Sequence, residues 1–159
     1  MPPTLRLTIV AVGRLSAARA GPEAALFDHY AKRLTGTLTV REVAEDRSRD
    51  RAERRRREAG RLLEQVPRGA VLVAMDGVGK GLDSPGLAKR IGAWLEEGRQ
   101  GLCFAFGGAD GLDETVRAKA DIVLSMGAMT WPHLLARGML AEQLFRAQCI
   151  LAGHPYHRD

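Results

Sequence analysis

Lysine is scarce in this chain of 159 residues: four Lys stand beside twenty Arg. Cysteine occurs only twice, at Cys103 and Cys149, and aromatic residues make up 5%. Two thiols without metal-ligand spacing exclude a disulfide framework and a cysteine-rich metal site, and they read as small buried side chains. No apolar run reaches the roughly twenty residues needed to span a bilayer, so the expectation is a soluble cytoplasmic protein without a membrane or metal partner. Familiar signatures are missing as well. Around Gly79-Lys80 the first P-loop position is Ala74 and the last is Gly81, and after the first strand only Gly13 stands where a dinucleotide fingerprint wants three glycines. A Gly-x-Ser-x-Gly elbow is absent, and His133, His154 and His157 lack the helical spacing of a zinc protease.

What is present suits one domain over residues 1–159, with 45% hydrophobic residues and enough apolar surface for one core. Net charge is +5 and the sequence pI about 9.8. Such a balance points to a polyanionic partner such as RNA, or simply to an arginine-rich composition. Residues 47–61 hold eight arginines interleaved with Asp50, Glu53 and Glu58. Asp50–Arg54 and Glu53–Arg57 have the i,i+4 spacing of helical ion pairs, so this run reads either as a solvated face or as a phosphate-contacting one. The N-terminus faintly imitates a secretion signal through Arg6, the apolar run 7–13 and Ala17-Ala18-Arg19-Ala20. Its apolar stretch is minimal, is broken by Thr8 and Gly13 and runs into Arg14, so it reads instead as the first buried strand of a sheet.

Apolar runs alternate with helical patterns. Strands are expected near Leu5–Val12, Thr37–Val43, Ala70–Met75, Gly101–Phe106 and Ile122–Ser125, and helices near Glu23–Leu34, Asp50–Gln65, Ser84–Glu97, Asp113–Ala120 and Leu134–Ile150. Ser84-Pro85 reads as a helix N-cap followed by proline, and Gly98 as the residue just past the helix end. The rhythm implies an α/β fold: a mostly parallel sheet with helices on both faces.

Three glycine-bearing turns follow strands: Met75-Asp76-Gly77-Val78-Gly79-Lys80, Gly107-Gly108-Ala109-Asp110-Gly111 and Ser125-Met126-Gly127-Ala128-Met129-Thr130. Ligands collect at the C-terminal ends of parallel strands, so three such turns make a plausible pocket, although each glycine also serves a turn on its own account.

These segments resemble a known family, the α/β-knot (SPOUT) methyltransferases, and within it the RlmH subfamily. The resemblance runs nearly end to end. It rests on Ala11-Val12-Gly13, Met75-Asp76 through Lys80, Phe106-Gly107-Gly108-Ala109-Asp110-Gly111-Leu112, Met129-Thr130-Trp131-Pro132-His133, Glu142-Gln143-Leu144-Phe145-Arg146-Ala147 and Pro155-Tyr156-His157-Arg158. It implies a C-terminal trefoil knot, an exception to ordinary topology. It also implies a homodimer in which the C-terminal helix and tail serve the partner's site, and methylation of N3 of a pseudouridine in 23S ribosomal RNA within the ribosome. S-adenosylmethionine is the implied cofactor, with contacts at Met75, Gly107, Met126, Gly127, Ala128, Met129, Thr130 and Trp131. For the methionines and the tryptophan, plain core packing is the competing reading. Glu142 to Ile150 reads as amphipathic enough to supply the dimer surface. Three positions depart from the usual pattern: Phe145 stands where tyrosine is common, Gly127 where a side chain is usual and Arg14 where lysine is common.

A sulfonium methyl is a strong electrophile, so the protein's tasks are to align the attacking nitrogen and to help it lose its proton, without a metal. Arg146, His133, Tyr156, His157 and Arg158 are the expected groups around the acceptor base, with arginine stabilising imide charge. His133 reads equally well as a helix-start residue satisfying local backbone, whereas a frayed terminus is the weaker reading of Tyr156-His157-Arg158, since tails seldom concentrate aromatic, imidazole and guanidinium groups in succession. One rival function keeps the fold and changes the acceptor to transfer RNA or a ribose oxygen; another is a non-catalytic ribosome-binding factor.

Overall fold

The computed structural model describes residues 5–13 and 21–158. Arg14 and Ala17–Ala20 lie outside the described residues. Five strands and five helices alternate: β1 (Arg6–Val12), α1 (Pro22–Ala31), β2 (Thr37–Val43), α2 (Arg51–Glu64), β3 (Val71–Gly81), α3 (Ser84–Glu96), β4 (Gly101–Phe106), α4 (Glu114–Lys119), β5 (Ile122–Ser125) and α5 (His133–Ala152). All strand pairs are parallel, in the order β2-β1-β4-β3-β5.

Strand alternation divides the core in two. Leu7, Ile9, Val71, Val73, Leu102 and Phe104 point to the face covered by α1, α3 and α5, where Phe27, Ile91, Trp94, Leu140 and Leu144 meet them. Val10, Val12, Leu72, Ala74, Cys103 and Ala105 point to the other face, beneath Ala59 and Leu62 of α2 and Val116 of α4. Both faces being apolar is what the near-continuous hydrophobic strands require. Phe104 is fully buried, and each such side chain contributes on the order of 2–3 kcal/mol. Cys103 and Cys149 are buried free thiols, and burial pushes Cys103 up to about 12. Among the described residues no helix is long and apolar enough to cross a membrane.

Several expectations change in detail. The N-cap of α3 is Asp83, not Ser84: its carboxylate accepts from the Gly86 N–H at 2.7 Å, and Pro85 lies inside the first turn. At the other end of α3, Gly98 has a φ of +79°, as a residue past a helix end requires. In α2, Asp50 is the cap, accepting from the Ala52 N–H, and does not pair with Arg54. Glu53 and Arg57 do pair, at 2.6 Å. Within Glu142–Ile150, Leu144, Ala147 and Cys149 are buried, while the polar Glu142, Gln143, Arg146 and Gln148 are half-buried. One side of α5 packs on the sheet and its flanks pack on α1 and α3.

Candidate active site

Three chain segments meet at the C-terminal ends of β3, β4 and β5. The first was expected to be a turn after Met75; it is an excursion within β3. Met75 and Lys80 both pair with Leu124 of β5, so residues 76–79 bulge out and the strand resumes. Asp76 anchors the bulge, accepting from the Val78 N–H at 3.0 Å and from Arg117 at 3.1 Å. A Cβ on Gly79 would sit 2.6 Å from the carbonyl of Val123, so only glycine lets this return pass against β5.

The second segment is the turn Gly107–Gly111, closed by an isolated bridge between Gly108 and Gly111. A Cβ on Gly107 would lie 2.5 Å from the Gly111 carbonyl carbon. Behind the turn, Asp110 accepts from Arg54 at 2.8 Å and Arg51 at 3.1 Å, and these hydrogen bonds, Arg54 first, hold its carboxyl below the usual range.

The third segment is the loop from Met126 into α5. The Trp131 indole N–H donates to the Met126 carbonyl at 3.2 Å and closes it, while Ser125 Oγ accepts from the Gly127 N–H. Gly127 takes a φ of +110°, which disfavours any side chain there.

Between these segments lies a cleft of about 470 Å³. All eight residues expected to hold the cofactor line it: Met75, Gly107, Met126, Gly127, Ala128, Met129, Thr130 and Trp131. Met129 is 74% exposed and Trp131 40%, so neither is a core residue; Met75 is buried. The walls are apolar and the loops bring backbone close, which fits an adenosine-sized ligand with a polar tail. Among the described residues no three His, Cys, Asp or Glu gather as a metal site.

The five groups expected around the acceptor divide between two places. His133, the first residue of α5, lines the cleft. Burial, then the Arg137 charge, lower its pKa, with a hydrogen bond to the Val12 backbone opposing them. Arg146, Tyr156 and His157 assemble elsewhere, around Glu142. One Glu142 oxygen accepts from Arg146 Nη2 at 2.6 Å and from the Tyr156 hydroxyl at 3.0 Å, and Arg146 Nη1 donates to His157 Nδ1 at 3.1 Å. The guanidinium lies over the Tyr156 ring, and Phe145 packs edge-on against the same ring at 4.7 Å. Burial first, then hydrogen bonding, push the Tyr156 phenol up to about 12. The tail is therefore docked as far as His157, whereas Arg158 is exposed. Along α5, Arg146 is thirteen residues from His133, about 20 Å of helix rise, so one chain does not bring the two together.

The sequence pattern did not reveal Arg137, a fully buried arginine that donates to Glu42 at 2.9 Å, to the Gly13 carbonyl at 3.2 Å and to His133 Nε2 at 3.0 Å. The i,i+4 spacings His133–Arg137 and Glu142–Arg146 were available signals; the pairing with Glu42, 95 residues away, was not.

A doubly covered parallel sheet with a glycine-built, largely apolar cleft at its strand ends places this chain among the α/β proteins that bind a ligand there. The family model described as "Predicted SPOUT methyltransferase" matches residues 5–157, and the chain belongs to that family. Its cofactor is accordingly S-adenosylmethionine, which the cleft suits in size and lining. The chain is 53% identical over 155 residues to the ribosomal RNA large subunit methyltransferase H of Rhodospirillum rubrum, covering 98% of this chain and all of that protein. It is 51% identical over 154 residues to the protein of the same name from Rhodospirillum centenum, covering 97% and 99%. In fold it is similar to a probable methylase family protein from Haemophilus influenzae (TM-score 0.58, 10% identity, 100% of this chain and 72% of that one). It is also similar to a probable methyltransferase from Bordetella pertussis (TM-score 0.57, 14% identity, 89% and 95%).

Proposed function

We propose that this protein methylates N3 of a pseudouridine in 23S ribosomal RNA, in the cytoplasm, on the assembled ribosome and as a homodimer. The single observation that carries the reading is the cleft in which the three glycine-bearing segments meet, in a chain half identical to large-subunit rRNA methyltransferases. The bound cofactor supplies an electrophilic methyl group. Met75, Met126, Met129 and Trp131 would hold its adenine, and the backbone of Gly107 and of residues 127–130 would bind its polar groups. Electrostatics at the acceptor come from Arg146, whose charge stabilises an imide losing its proton, with Tyr156, His157 and Arg158 orienting the base.

Two observations support the dimer. Arg146 stands about 20 Å of helix rise from His133, so a second copy would be the way to set an Arg146 cluster against the His133 end of a cleft. A trough of about 670 Å³, lined by Leu26, Leu82, Leu87, Gly138 and Met139, runs between α1, α3 and α5 and continues into the cleft at Met75 and Met126. A second copy would cover these apolar residues. The knot belongs to the same reading; support for it is the excursion of β3 at residues 76–79 and the passage of Gly79 against the backbone of β5.

The test is transfer of labelled methyl from S-adenosylmethionine to ribosomes from cells lacking this gene, followed by mass mapping. N3-methylpseudouridine in the large-subunit rRNA is expected. Label in transfer RNA or on a ribose oxygen would overturn the reading.

A further inference from the structure

The surplus charge of this chain has one address. Residues 47–61 carry eight arginines against three carboxylates, a surplus of five that equals the net charge of the whole chain. We propose that this segment, the loop before α2 and the first turns of the helix, is the surface that grips the phosphate backbone of the RNA beside the cleft. The inference rests on the RNA methyltransferase reading and adds to it the site of substrate docking.

The segment sorts its arginines by direction. Asp46 and Ser48 face inward: Asp46 is buried, its N–H donates to Glu58 at 3.0 Å, its carboxylate accepts from Arg61 at 2.9 Å and from the Ser48 N–H at 2.9 Å, and Ser48 Oγ bonds Glu53. Arg54 closes the loop by donating to the Ser48 carbonyl at 2.9 Å. Between these pinned residues, Arg47 and Arg49 are left exposed, as is Arg56 on the outer face of α2. None of the three makes an ion pair or hydrogen bond among the described residues, whereas Arg51, Arg54, Arg57 and Arg61 are all paired. A pinned backbone presenting unpaired guanidinium groups is preorganised for phosphate, since binding loses little entropy in ordering the loop.

The surface is also continuous with the site. Arg51 and Arg54 both grip Asp110, whose turn lines the cleft through Gly107, Gly108 and Gly111, and a Cβ on Gly108 would lie 3.2 Å from the Glu58 carboxylate of α2. The basic segment thus backs directly onto the cofactor turn. RNA is favoured over an acidic protein because the exposed cations are arginines alone, with no exposed large hydrophobic residue in the segment to anchor a protein interface.

The experiment compares wild type with the triple variant Arg47→Gln, Arg49→Gln, Arg56→Gln, measuring binding to isolated large subunits and to protein-free 23S rRNA over a range of KCl. Cofactor affinity by calorimetry serves as the control for folding. The expected result is unchanged cofactor affinity, weaker binding to both RNAs, and a salt slope flatter by about 2 to 3, one for each phosphate no longer neutralised. An unchanged slope overturns the proposal, and so does weakening seen on subunits and absent on bare rRNA, which would place these arginines against a ribosomal protein. Methyl transfer by wild type to assembled ribosomes tests the functional reading separately, because binding is read without it.

Discussion

Arg137 Nη2 lies 3.0 Å from Nε2 of His133, inside a helix turn where the arginine is wholly buried. A guanidinium only donates, so Nε2 of His133 must accept, and the imidazole is neutral with its proton on Nδ1. The side chain at the mouth of the cleft therefore has its Nε2 lone pair already engaged. While that contact holds, His133 has no free ring lone pair to take up a proton.

Replacing Arg137 by methionine should destabilise the fold strongly. It removes one partner of Glu42 and the donor to the Gly13 carbonyl, and the expected loss is about 3 kcal/mol of unfolding free energy by urea titration. Arg137→Lys should recover part of the stability but not the Nδ1–H tautomer, which nitrogen chemical shifts of His133 would report.

His133 also sets a pH dependence. Its folded pKa is lowered from the ordinary 6.5, by burial first, so the unfolded chain binds the proton more readily. Stability should fall as pH drops below about 6.5, level off below the folded value, and rise again with pH. His133→Gln should flatten that part of the curve. The lowered carboxyls of Asp46, Asp110 and Asp113 act in a separate window, below about pH 4.

Gly107→Ala should damage the cleft more than the fold. The added methyl would meet the Gly111 carbonyl carbon at 2.5 Å, a backbone atom that moves only if the whole turn moves. Cofactor affinity by calorimetry should fall at least about tenfold, with about 1–3 kcal/mol lost from stability. An affinity within twofold of wild type would separate this turn from the cofactor site.

Mixing two inactive variants tests the shared site. If one subunit's cleft works with the other's Arg146 cluster, Trp131→Ala and Arg146→Ala homodimers should each be nearly inactive. Heterodimers formed after mixing would hold one intact site, restoring about a quarter of wild-type activity. No recovery, with exchange verified by mass, would confine each site to one chain.

Much of this was legible in the residues. The alternating apolar runs located the start of every strand to within a residue or so, because both faces of the sheet are buried and the pattern is strong. The three glycine-bearing turns after strands marked a pocket at the sheet's C-terminal edge, and the eight residues that line the cleft were placed there by the resemblance to a known family. Less legible were features decided by partners far apart in the chain: the resumption of β3 after its bulge depends on Leu124, and the buried Arg137 depends on Glu42. The helical spacing of Asp50 and Arg54 even misled, since Asp110, 56 residues beyond Arg54, competes successfully for the arginine.

Local pattern alone set the layers, since side-chain periodicity dictates which face of each element seeks the core before any partner is known. It set the placement of surplus charge too, because residues 47–61 are basic wherever they lie. Folding in three dimensions was needed to put the charged segment behind the cofactor turn, through Asp110, and to separate His133 and Arg146 into different sites on one helix. Those relations come from long-range packing, where many residues could satisfy an ion pair and the fold selects the one it brings within reach.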